Sequence, residues 1–134
     1  MTDGEFSEYL PSGGKLVVTV KHWHIHYYFS GPDLRYNGES IDIPGNQVDD
    51  YIAAWKENFE KYKELKASIP KKSEFKAYGK KGMLIAINSY FNEGVSLTYR
   101  GINIKTEHEL KKLIDNYAFA KRRAVEIMEL LKQL

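Results

Sequence analysis

Cysteine is absent from this chain of 134 residues, and proline occurs four times. Without thiols there is no disulfide framework, no thiolate zinc site, no iron–sulfur cluster and no cysteine nucleophile. No apolar run approaches the roughly 20 residues needed to cross a bilayer. The start, Met1-Thr2-Asp3-Gly4-Glu5, lacks the basic segment and apolar stretch of a secretory signal. A soluble intracellular protein without a membrane partner is the expectation. The motifs of the commoner catalytic sites are missing as well: there is no G-x-S-x-G elbow, Walker A loop, G-x-G-x-x-G or HExxH. The chain is therefore read as a non-enzyme without a cofactor, long enough for one compact domain or two small modules.

What is present is charge, and it is segregated. Residues 1–70 hold 7 basic and 11 acidic side chains, a balance of −4, whereas residues 71–134 hold 13 and 7, a balance of +6. A basic half favours polyanions such as nucleic acid. The acidic half argues against one uniformly basic groove.

The two halves also repeat each other. The first reads Glu5-Phe6-Ser7-Glu8-Tyr9, a Gly13-Gly14 turn, the alternating stretch Lys15 to Lys21, then Leu34-Arg35-Tyr36-Asn37-Gly38 and Ile41-Asp42-Ile43. The second reads Glu74-Phe75-Lys76-Ala77-Tyr78, a turn through Gly82, Met83 to Asn88, then Leu97-Thr98-Tyr99-Arg100-Gly101 and Ile102-Asn103-Ile104. Ordered recurrence of EF-x-x-Y, an apolar strand and L-x-Y-x-G marks a duplication. Period-two alternation bounded by Gly, Pro and Asn places strands near 5–10, 15–29, 33–37 and 39–43 in the first copy, and near 74–78, 82–91, 95–100 and 102–105 in the second. Each copy ends in a helix. The first carries Val48, Ile52, Trp55, Phe59 and Tyr62 on one stripe; the second opens on a Thr106/Glu109 capping box and carries a wider stripe from Leu110 to Leu134. The fold expected is α+β: two tandem ββββα repeats, 1–70 and 71–134, forming an intramolecular pseudo-dimer of curved antiparallel sheets with packed helices. A unit of about 65 residues has a marginal core alone, which gives the copies a reason to share burial.

The run Met83-Leu84-Ile85-Ala86-Ile87-Asn88-Ser89-Tyr90-Phe91, the Gly94 turn, Arg100-Gly101-Ile102-Asn103-Ile104 and the following helix resemble the single-stranded-DNA-binding module of the positive-cofactor-four transcriptional coactivator family. Whirly proteins and purine-rich-element-binding repeats are similar in their ββββα plan. The resemblance implies a sequence-tolerant single-stranded DNA or RNA binder acting in transcription, replication or recombination, through basic and aromatic residues on the sheets. It places the family's strand-two arginine on Lys21 and Asn88, and the following aromatic pair on Trp23-His24 and Tyr90-Phe91. The loop between the first two strands corresponds to Tyr9 through Lys15 and to Tyr78-Gly79-Lys80-Lys81. The lysine before the strand-four glycine corresponds to Asn37 and Arg100. Asn37 and Asn88 lack the family's charge.

The expected binding set is Lys15, Lys21, Trp23, Arg35, Tyr36, Lys76, Tyr78, Lys80, Lys81, Asn88, Tyr90 and Arg100. Alternate strand residues point the same way, so Thr19, Lys21 and Trp23 share a face, as do Ala86, Asn88 and Tyr90, with Val18, Val20, Ile85 and Ile87 turned to the helices. His22, His24 and His26 would continue that helix-facing side. Their 6 to 7 Å spacing suits two ligands better than three, and with no counterpart in the second copy no metal is expected. A protein-interaction or inhibitory module, for example from a mobile element, is the alternative function; it would use the acidic first half against a basic partner.

Overall fold

Residues 1–11, 14–36, 39–88 and 96–134 are described by the computed structural model, with the backbone alone described at 31–36 and 39–42. The alternating stretches form β1 (Gly4–Tyr9), β2 (Lys15–Lys21), β3 (His24–Tyr36) and β4 (Glu39–Pro44), then β5 (Glu74–Tyr78), β6 (Leu84–Asn88), β7 (Ser96–Tyr99) and β8 (Ile102–Ile104). Helix α1 (Val48–Ser68) follows β4 and α2 (Glu107–Lys132) follows β8. The strands make two antiparallel four-stranded meanders, β1-β2-β3-β4 and β5-β6-β7-β8. The tandem ββββα order and the α+β class are thus as the sequence implies. Among the described residues no helix is long and apolar enough to cross a membrane.

One strand differs. The stretch expected as a single strand over 15–29 is broken at His22-Trp23, where both residues have positive φ (51° and 68°) and the chain turns back, so that Lys21 pairs with His24. Positive φ at both central residues is what a two-residue hairpin of matching twist requires. The position carries neither glycine nor asparagine, which is why no turn signal is visible there. The Asp3 carboxylate accepts a hydrogen bond from the His22 backbone N–H at 3.1 Å and fastens the turn.

The compact units do not follow the sequence repeats. One comprises Met1–Val48 with Leu113–Leu134, the other Asp49–Lys112, so the first sheet is grouped with most of α2, and the second with α1 and the start of α2. In the first unit, Leu16, Val18, Val20, Phe29 and Ile43 form the buried face of the sheet, and Tyr117, Ala120, Ala124 and Ile127 are the buried stripe of α2. Phe29 meets Tyr117 edge-on, with ring centroids 5.1 Å apart, a geometry that adds about 0.5 to 1.5 kcal/mol to simple burial. On the same face Arg123 donates from Nε and a terminal nitrogen to the two carboxylate oxygens of Glu8, at 2.7 and 2.8 Å. These hydrogen bonds hold the Glu8 carboxyl below its ordinary pKa.

In the second unit, Ile85, Ile87, Leu97, Tyr99, Ile102 and Ile104 are buried on the sheet, and Trp55, Phe59 and Tyr62 on α1. Trp55 and Tyr99 pack edge to face at 6.2 Å. Asn58, almost wholly buried, accepts from the Lys80 N–H and donates to the Lys80 carbonyl, both at 2.9 Å, and also reaches Met83 Sδ. It thereby clamps the β5–β6 connection. Gly79 is required beside it, because a Cβ there would lie 2.1 Å from Asn58 Oδ1. Thr106 caps α2: its hydroxyl accepts the Glu109 N–H at 3.1 Å, while the Glu109 carboxylate accepts the Lys105 N–H at 3.3 Å.

Candidate nucleic-acid interface

Strand pairing fixes which side chains share a face, since residues directly opposite one another lie on the same side of a sheet. In the first sheet the rows Glu5–Thr19–His26, Ser7–Val17–Tyr28 and Tyr9–Lys15–Ser30 lie opposite the α2-packed face, together with Lys21 and His24. In the second, Glu74–Asn88, Lys76–Ala86–Ser96 and Tyr78–Leu84–Thr98–Asn103 form the corresponding face. This second face is a shallow depression of about 390 Å³, floored by Leu84 and Ala86 and rimmed by polar groups. Its rim is internally bonded: Asn88 donates to Glu74 at 3.2 Å, and Thr98 donates to Asn103 Oδ1 at 2.7 Å while bonding Ser96 at 2.9 Å.

The two faces share one feature at equivalent positions. Tyr9 and Tyr78, the last residues of the two EF-x-x-Y strands, are 79% and 77% exposed. Each has a lysine on its own face: Lys15 directly opposite Tyr9, and Lys76 two residues before Tyr78. Exposed aromatic rings beside ammonium groups are the components that unpaired bases and their phosphates require. Charge on these faces is nearly balanced, however. Glu5 accompanies Lys15 and Lys21, and Glu74 accompanies Lys76.

Of the expected set, Lys15 and Lys21 lie on the first open face, and Lys76, Tyr78 and Asn88 on the second. Trp23 does not share the face of Thr19 and Lys21 as expected. It occupies the tip of the β2–β3 hairpin, 75% exposed, because the chain turns at His22-Trp23 instead of continuing as a strand. The same turn moves His24 and His26 to the open face beside Lys21 and Thr19, opposite to the helix-facing side expected for them. Among the described residues no group of three or more His, Asp or Glu is placed to hold a metal ion.

Lys80, Lys81 and Arg100 sit at one end of the second sheet, in the β5–β6 and β7–β8 turns. Lys80 is paired with Glu57 at 2.8 Å. The Lys81 ammonium lies 5.0 Å from the centre of the Tyr51 ring, and the Arg100 guanidinium 5.5 Å from that of Tyr99. The two phenols bond each other at 3.0 Å; burial, reinforced by that bond, pushes the Tyr51 hydroxyl up to about 12. Arg35 and Tyr36 belong to β3, opposite Ser40 and Glu39, with side chains outside the described residues. Tyr90 also lies outside them.

Tyr9 stands outside the expected set, yet its signal is in the repeat, because Tyr9 occupies in the first copy the place of Tyr78 in the second. His24, His26 and Tyr28 are hidden by the turn, which reverses the parity of every residue after it. Compared with known proteins, the chain matches no family model, no curated sequence and no solved structure.

Proposed function

We propose that the protein binds single-stranded nucleic acid, DNA or RNA, on the open sheet faces and performs no catalysis there. The observation that carries this reading is the pair Tyr9 and Tyr78: equivalent residues of a duplicated motif, both strongly exposed, both beside a lysine. An aromatic ring left in water on one copy has many bland explanations. The same exposure at the same position of both copies is better explained by a shared use. Stacking a base on such a ring contributes about 1 to 3 kcal/mol and tolerates any sequence, since every base has a π-face. Duplex bases are already stacked on one another, so single strands are preferred. The near-balance of charge on the faces makes stacking, and not counterion release, the larger share of the affinity.

The exchange of helices between repeats supports the companion proposal that the copies form an intramolecular pseudo-dimer, each sheet depending on a helix that the other copy provides.

Fluorescence anisotropy with labelled single-stranded and duplex oligonucleotides over a salt series tests the reading. Tyr9→Ala and Tyr78→Ala should each cost about 1 to 3 kcal/mol with the salt slope unchanged. Lys15→Gln or Lys76→Gln should lower that slope by about 0.7 for each phosphate left without its cation. Equal binding of duplex and single strand, or tyrosine variants that bind as tightly as the wild type, would refute it. Absence of binding even at low salt would favour a protein partner.

A further inference from the structure

Strand β3 outruns its partner. The last pair between β3 and β4 is Tyr28 with Pro44, yet β3 already begins at His24. Beyond Pro44 the chain leaves the sheet through a 3₁₀ turn over Gly45–Gln47, so β4 does not cover this end of β3. Between that end and α2 lies a groove of about 720 Å³, larger than the 390 Å³ depression on the second sheet. All the residues named as its walls belong to the first unit.

The walls follow from the sequence. On α2 the stripe Tyr117, Ala120, Ala124 and Ile127 is buried, and Lys121, Val125 and Met128, at i, i+4 and i+7, stand together beside it and line the groove. Val125 is 47% exposed, so the apolar stripe of α2 is wider than the sheet covers. Ile25, Tyr27 and Pro44 stand on the side of the sheet. Gly45 seats the tyrosine: a Cβ there would lie 2.4 Å from a Tyr27 ring carbon, so the ring rests directly on the glycine backbone. Lys121 is the one side chain of permanent charge among the described residues lining the groove, and no carboxylate accompanies it there.

The geometry points to a binding site for a small apolar molecule that carries one negative group, such as an alkyl or aromatic carboxylate. Concave sites of about 300 to 1,000 Å³, mostly apolar with a few placed polar groups, have the size and character that bury small ligands. Here the apolar body lies among Ile25, Tyr27, Val125 and Met128 while the carboxylate faces Lys121. Burial supplies affinity, and the charge-assisted contact sets orientation. The unbranched thioether of Met128 suits ligands of differing outline. The inference makes no use of the nucleic-acid reading, because its groove lies at a sheet edge and its ligand needs no base to stack.

Two amphiphiles with the same alkyl chain and opposite charge test it. The full chain is titrated at neutral pH with decanoate or with decyltrimethylammonium, each below its micelle concentration, and followed by amide NMR. Decanoate should give saturable one-site shifts at Ile25, Tyr27, Gly45, Val125 and Met128, and the ammonium compound should bind more weakly. Lys121→Gln should weaken decanoate about tenfold and leave the ammonium compound unchanged. Val125→Asp, at an exposed position that leaves the core intact, should abolish saturable decanoate binding by setting a carboxylate in the wall. Gly45→Ala should do the same by displacing the Tyr27 ring, and the spectrum elsewhere reports that the fold is kept. Absence of saturable shifts, equal binding of the two amphiphiles, or decanoate shifts that persist in Val125→Asp would overturn the proposal. So would sedimentation showing a dimer that Val125→Asp disperses, since the groove would then be a contact between copies of the chain.

Discussion

Asn58 offers the sharpest test of how the second unit holds its β5–β6 turn. Its amide satisfies both backbone groups of Lys80 at 2.9 Å and reaches Met83 Sδ from a nearly fully buried position. Asn58→Ala removes two side-chain-to-backbone hydrogen bonds worth about 1 kcal/mol each and leaves the Lys80 N–H and carbonyl to find water at the edge of a core. A void the size of the missing amide adds to this, so a total of about 3 kcal/mol is expected, or roughly 10 °C in melting temperature for a chain of this size. Gly79→Ala provides the partner perturbation. Its backbone is extended, with φ −92°, so alanine is unstrained there, and its cost arises from the Cβ that would stand 2.1 Å from Asn58 Oδ1. Overpacking of that kind costs about 1 to 3 kcal/mol. Once Asn58 is alanine the obstruction is gone, so the double variant should be no less stable than Asn58→Ala alone. Urea and thermal unfolding of the four proteins closes the cycle. If Asn58→Ala costs under about 1 kcal/mol, or if the two costs simply add, the clamp is not what fixes the turn.

Cutting the chain between residues 70 and 71 should leave two fragments that do not unfold cooperatively alone, because each sheet loses the helix grouped with it; equimolar mixing should restore the native circular dichroism. A fragment that is monomeric and as stable as the whole chain would disprove this. The Glu8–Arg123 pair makes a pH prediction: with its folded pKa lowered, Glu8 contributes stability that is present above its ordinary value of 4.5 and lost as the pH falls through the lower folded value. Denaturant midpoints of wild type and Glu8→Gln should therefore differ at about pH 7, and the gap should narrow progressively as the pH is taken below 4.5; a gap that does not change with pH would refute the linkage. Trp23→Gly tests the turn: relief of a left-handed conformation offsets the entropy cost of glycine, leaving stability in denaturant unfolding unchanged or raised by up to about 1 kcal/mol, and marked destabilisation would contradict the positive φ at Trp23.

The number, order and type of the elements are legible in the sequence because they follow from periodicity. Val18 and Val20, or Ile85 and Ile87, recur at every second position of their strands, and Thr106 with Glu109 announces the start of α2 in the side chains that cap it. The partner of each helix is not legible. An amphipathic stripe such as Trp55, Phe59 and Tyr62 specifies an apolar face to cover, but nothing in it distinguishes the preceding sheet from the following one. Nor is the β2–β3 turn, since neither His22 nor Trp23 is a glycine or asparagine that would announce positive φ. That one turn moves Trp23 from a strand face to a hairpin tip and sets His24 and His26 outward. Lys80 and Lys81 are equivalent as sequence, two adjacent lysines in one loop; the fold gives the first to Glu57 and sets the second over Tyr51.

Left-handed backbone links the turns to the surfaces between them. Five residues other than glycine have positive φ among those described: His22, Trp23, Lys72, Lys81 and Arg100. Each forgoes roughly the 1 to 2 kcal/mol that glycine would save, so strain alone cannot mark a functional position, and Lys72, in the turn between α1 and β5, shows that it does not. The Lys72 turn is closed locally by the Ser73 hydroxyl, which donates to the Pro70 carbonyl, and the other four have neighbours of their own. Asp3 holds the His22-Trp23 turn, Tyr51 lies under Lys81 and Tyr99 under Arg100. A conformation that is both costly and held by a dedicated neighbour is fixed before any ligand arrives, which spares the ordering cost at the moment of binding. Among these supported residues Trp23 presents an exposed ring, while Lys81 and Arg100 present cations without an acidic partner among the described residues. Fixed geometry and exposed side chains coincide at those turns, and there, as at Tyr9 and Tyr78, the proposed single-strand binding is open to direct test by substitution.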